Sequence, residues 1–210
     1  MTHAAASEAT LVALDEPTRA LVRLAAALAG AGDDVVREAL RVAHDRVSPE
    51  WVEELILQTY LFAGFPRALN GMRQWRRLRP SPAAGVETNP DARVAGEATC
   101  ARVYGSMYDK LRANIRELHP LMDEWMIVEG YGKVLSRPGL DLARRELCIV
   151  GACAASGQDR QLQSHLHGAR NAGASDRAIS AAIESLAGVI PDALRDRALH
   201  MWQRVQNDVH

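Results

Sequence analysis

Leu142-Ala-Arg-Arg-Glu-Leu-Cys-Ile-Val-Gly-Ala-Cys-Ala-Ala155, followed after a short Gly157 turn by Arg160-Gln-Leu-Gln-Ser-His-Leu-His-Gly-Ala-Arg-Asn-Ala172, is the stretch that decides the fold. Leu142, Ile149, Val150 and Cys153 recur at a spacing near 3.6, as do Leu162, Leu166 and Ala169, so two amphipathic helices stand back to back. Working outward, Leu21, Leu24, Ala25 and Leu28 repeat this period. So do Val35, Val36, Ala39, Leu40 and Ala43, and then Val52, Leu55, Ile56, Thr59, Tyr60 and Leu61. Helix starts are marked by Asp15-Glu-Pro17, Asp33-Asp34, Ser48-Pro49-Glu50, Asp141 and Ser175-Asp176, where a short polar side chain or an early proline suits the first turn. No segment sustains a two-residue alternation. The expected class is all-α.

Composition excludes several functions. The chain has 210 residues, 48% of them apolar, which is enough for a large core and too much for global disorder. Twenty-five basic residues stand against 26 acidic ones, and the isoelectric point is near 6.7, so the whole chain makes no electrostatic case for nucleic acid. The basic run Arg73-Gln-Trp-Arg-Arg-Leu-Arg79 reads as the last turns of a helix, where cations complement the dipole. Cys100, Cys148 and Cys153 are too few for a disulfide framework, the first residues lack the pattern of a signal peptide, and no run of about 18 apolar residues offers a membrane span. The expected location is the cytoplasm.

Residues 80–97 are rich in Pro, Gly and small polar residues and read as a linker between residues 1–79 and 98–210. Helices are expected over about 98–113, 120–129, 142–155, 160–172 and 176–186, with Tyr131-Gly132 in a turn. The halves overlay weakly. Leu21–Gly30, Val35–Ala43 and Ser48-Pro49-Glu50 match Leu147–Gly157, Leu162–Ala172 and Ser175-Asp176-Arg177, which reads as a duplication. In that overlay Arg19 falls opposite Glu146 and Glu38 opposite His165.

Each of the two deciding helices carries one ionisable residue on its apolar side. Glu146 lies four residues from both Leu142 and Val150, and His165 three from Leu162. A lone buried carboxylate is costly, so the two are expected to face each other. Such a pair suits general acid–base work, and equally a structural tie between helices. His167 lies on another face of its helix, so His165 and His167 do not converge on a metal. Cys148 and Cys153, five apart, form no redox pair, and no phosphate loop or serine elbow is present.

Gly130–Asp141, Arg145-Glu-Leu147, Gln161–Ala169 and Asn171-Ala-Gly173 resemble the carboxymuconolactone decarboxylase family, which shares its all-α fold with the AhpD-type alkylhydroperoxidases. Glu53–Tyr60 and Ala63–Leu69 resemble the segment that ends one family unit, so the resemblance implies two tandem units. The peroxidase branch carries Glu, eleven residues, Cys, two residues, Cys, three residues, His. Glu146 and His165 stand at the ends of that spacing, while Gln158 and Gln161 occupy the cysteine positions. The decarboxylase branch implies a small carboxylated lactone as substrate and no cofactor. It makes His165 the proton donor, Glu146 its orienting partner, and Arg137, Gln161 and Tyr131 substrate-binding residues. Arg137 reads equally as a surface residue of its turn. Tyr131 and Leu135 stand where the decarboxylases tend to have tryptophans, which leaves the substrate open. The resemblance also implies a homotrimer shaped like the hexamer of single-unit relatives. Two other readings remain: a peroxidase using Cys153 with His165, and a non-catalytic oligomeric binding protein.

Overall fold

Four short polar side chains open helices here as the sequence requires. Asp15 accepts the Thr18 amide at 2.7 Å, Ser48 that of Trp51, Asp141 that of Arg144 at 3.0 Å and Ser175 that of Ala178 at 3.1 Å. The computed structural model describes residues 11–80 and 91–208, and they are all-α. The order is α1 (Glu16–Gly30), α2 (Asp33–Arg46), α3 (Pro49–Leu78), α4 (Ala92–Tyr104), α5 (Tyr108–Leu118) and α6 (Pro120–Trp125). A π-helical segment, Met126–Leu135, runs on from α6. Then come α7 (Leu142–Ser156), α8 (Asp159–Asn171), α9 (Asp176–Glu184) and α10 (Asp192–Asn207).

Helices α1 and α7 lie against each other at the centre. Both are buried on nearly all faces, from Ala20 to Leu28 in α1 and from Leu142 to Ala154 in α7, as expected of helices enclosed by others. Helices α2 and α3 cover α1, and α8, α9 and α10 cover α7. Helix α4 lies along the π-helical segment and against α8. The buried residues of both halves form one continuous core, with Trp75 and Trp202 among its largest members.

Three sequence expectations are corrected. Of the linker expected over 80–97, residues 81–90 lie outside the described residues, and Ala92 already opens α4. The helix expected over 98–113 is two, divided by a tight turn at Gly105–Met107. Tyr131 and Gly132 sit inside the π-helical segment, not in a turn, because that apolar stretch packs its length on α4 and hides Ile127, Tyr131, Val134 and Leu135. Helix α3 bends at Gly64, whose φ of 81° and ψ of 162° a residue with a side chain rarely adopts, and Pro66 then opens the following turns. Phe62, just before the bend, is thereby turned toward α8.

Among the described residues no helix is long and apolar enough to cross a membrane.

Candidate active site

Helices α7 and α8 form a hairpin across Gly157, and their two ionisable core residues meet inside it. His165 Nδ1 lies 2.7 Å from Glu146 Oε2, with Glu146 wholly buried and His165 only 5% exposed. Gly168, one turn along α8 from His165, makes the contact fit. A Cβ there would stand 2.5 Å from Glu146 Oε2 and 2.8 Å from Val103 Cγ1.

The second carboxylate oxygen, Glu146 Oε1, is sealed from solvent and has no hydrogen-bond partner among the described residues. An orphaned buried polar atom costs about 1–3 kcal/mol. On the histidine, the Nδ1 contact fixes the ring, and Nε2 carries no hydrogen bond among the described residues. The arrangement can orient an imidazole through one nitrogen and exchange a proton at the other.

Aromatic rings enclose the histidine. Phe62 of α3 meets it edge-on, centroids 5.6 Å apart, and Tyr104 at the end of α4 lies tilted at 6.5 Å. Tyr131 packs on Tyr104, ring centroids 6.2 Å apart. Burial pushes Tyr104 up to about 12, with the contact to Tyr131 partly offsetting it and the charge of Glu146 adding to it. Burial first, then Tyr104 and Glu146, raise Tyr131 well above the ordinary tyrosine range. Both phenols therefore stay protonated at neutral pH.

The thiols follow the same logic. All three cysteines are free and buried. Burial, reinforced by the Glu146 carboxylate, lifts Cys153 to about 12. Burial likewise lifts Cys100 to about 12, with Arg112 working against it and Glu146 adding to it. None is poised as a thiolate.

The other expected site residues lie elsewhere. Gln161, one turn before His165 on α8, is exposed, as is Gln158 at the start of that helix. Arg137 sets Nε and Nη2 on the Glu54 carboxylate at 2.9–3.1 Å. Arg145, fully buried, reaches the same carboxylate at 2.7 Å and donates to Gln58 Oε1 and to the Leu140 and Arg137 carbonyls. The Ser-Arg-Pro-Gly turn is thus pinned to α3 by a cluster of two guanidiniums on one carboxylate. Sequence reasoning missed Phe62, Tyr104 and Gly168. They come from three different helices, and only Gly168, small and on the His165 face, carries a local signal.

Among the described residues no three His, Cys, Asp or Glu side chains gather at metal-holding distance.

These features define an all-α helical protein with a buried Glu–His pair in the hairpin at its centre. Residues 124–201, which hold that hairpin together with Tyr131, Arg137 and Gln161, match the carboxymuconolactone decarboxylase family. The chain is also similar to Peroxisomal protein 2 of Schizosaccharomyces pombe, 25% identical over 154 residues that cover 70% of this chain and 72% of that protein.

Proposed function

We propose that this chain is an acid–base enzyme of the carboxymuconolactone decarboxylase type, acting without a cofactor on a small carboxylated lactone or ring acid. The observation that carries this reading is the 2.7 Å contact between His165 Nδ1 and a wholly buried Glu146 whose other oxygen finds no partner among the described residues. Glu146 fixes the imidazole, and His165 Nε2 exchanges the proton. In the decarboxylation, the carbon–carbon bond to the carboxylate breaks, carbon dioxide leaves, and the electron pair remains on the ring as a dienolate. A proton from His165 Nε2 then adds to carbon. Tyr131 stays in the reading as a wall of the site. A carboxylate clamp at Arg137 would require that side chain to share itself with Glu54, and Gln161 would act from the exposed turn beside His165. The raised pKa of Cys153 and the glutamines at 158 and 161 favour this reading over the peroxidase one.

The tandem organisation belongs to the same proposal. Trp75 donates its indole N–H to Glu53, and Trp202 donates to Ser180, each 22 residues upstream. His44 packs edge-on against Trp75, and Arg170 lies over Trp202. Glu16 and Leu142 open corresponding helices, as do Asp33 and Asp159. The helix starts set Ala20 opposite Glu146 and Ala39 opposite His165, while the tryptophans keep the register of the sequence overlay, with Arg19 and Glu38 there. In either register the first unit lacks the pair, so its role is to wall the site and build the assembly, a trimer in this reading. The cytoplasm remains the proposed location.

The test is carbon dioxide release from carboxymuconolactone by the intact protein and by His165→Gln. Release that falls by roughly 100-fold or more in the variant is the expected result. No release by the intact protein would remove this substrate and reaction.

A further inference from the structure

A cavity of about 520 Å³ opens between the end of α4, helix α5 and helix α8. Its polar lining includes Lys110, Asn114, Gln163, Ser164, His167 and Asn171, and no carboxylate is among the lining residues. One ammonium, amide donors and an imidazole, without an acidic neighbour in the wall, make a place for an anion. The volume is in the range of small-molecule sites. Asn171 braces the cavity, since its amide donates to the Val103 carbonyl at 2.8 Å and holds α8 against α4. His167 is kept below the ordinary histidine range by burial and by the charge of Arg170, with Asp208 opposing, so it is a neutral hydrogen-bonding partner and Lys110 supplies the charge.

The cavity backs onto the buried pair. Tyr104 and Val103 line it and also wall the pair. The Tyr104 ring lies 6.5 Å from that of His165, and Val103 and Glu146 both close on the spot where a Cβ on Gly168 would stand.

We propose that this cavity binds a small molecule bearing one carboxylate, with Lys110 as the counter-ion and Asn114, Gln163 and His167 as hydrogen-bonding partners, on the far side of Tyr104 from His165. The site is separate from the Glu146–His165 pair and stands without the acid–base reading.

The experiment is calorimetric titration with paraconate, a lactone bearing one carboxylate, together with the ring resonances of the histidines by NMR. The intact protein is expected to bind, with the His167 resonances shifting. Lys110→Met, at a surface position, is expected to weaken binding by about ten-fold or more, while Lys110→Arg restores it. His165→Gln is expected to bind like the intact protein. Absence of binding, or equal binding by Lys110→Met, overturns the proposal. If binding depends on Lys110 but no carbon dioxide is released from carboxymuconolactone, the acid–base reading fails for that substrate while the anion site stands.

Discussion

At the scale of the residue, this protein depends on atoms that fit with little room. Gly168 is the clearest case, because any side chain there meets the Glu146 carboxylate and Val103 together. Gly168→Ala is expected to destabilise the fold by about 1–3 kcal/mol, as overpacking does, and to part the pair. A thermal unfolding midpoint equal to that of the parent would refute this. The cysteines give a second residue-level expectation. With Cys153 and Cys100 held near 12 by burial, the thiolate fraction at neutral pH is negligible. Ellman's reagent should therefore react slowly with the native protein and rapidly once it is unfolded. A native thiol reacting at once near pH 7 would revive the peroxidase reading.

At the scale of the element, α5 is exceptional, since none of its residues is buried. Tyr108 and Leu111 pack on the core only in part, and charge adds the rest: Arg112 and Arg116 both bond to Asp123 of α6, whose side chain is 5% exposed. Losing those charged hydrogen bonds in Asp123→Asn is expected to cost about 1.5–3 kcal/mol. The hydrogen bond from Arg112, then that from Arg116, lowers the Asp123 pKa below the ordinary aspartate value, with burial opposing. The tie therefore contributes fully above the unfolded pKa of about 3.9 and is lost as pH falls through the lower folded value. Protection of the amides of residues 108–118, taken relative to their intrinsic exchange at each pH, should hold through mildly acidic pH and fall only below pH of about 4. Early loss near neutrality would contradict this account. Because α5 also carries Lys110 and Asn114, the same tie holds one wall of the anion cavity.

At the scale of the whole molecule, two central helices join the halves into one core, and exposed apolar side chains remain around it. Phe65 is 62% exposed, stacked on Tyr60, and Leu118 and Trp125 are 76% and 58% exposed. Single exposed apolar residues need no explanation, but sets of them on α3 and on α5–α6 are what a subunit interface would cover. A trimer is the expected state, and light scattering should return three times the 22.9 kDa chain mass. A monomer or dimer in solution would remove the trimer from the proposal.

What the sequence determined by itself is the helical class, the four capped starts and the burial of Glu146 and His165, because each follows from spacing within a single helix. The 3.6-residue period assigns a face, and a lone carboxylate on an apolar face demands a partner. The helix breaks were less legible. Gly105 divides a segment whose apolar pattern runs on, and the π-helical segment looks like a turn because Gly130 and Gly132 also suit turns. Only the tertiary structure decided which rings surround the histidine, that the Arg137 turn is pinned on Glu54, and that a cavity without carboxylates backs onto the pair. Those contacts join α3, α4 and α8 across long stretches of chain, and no local period records a distance between helices.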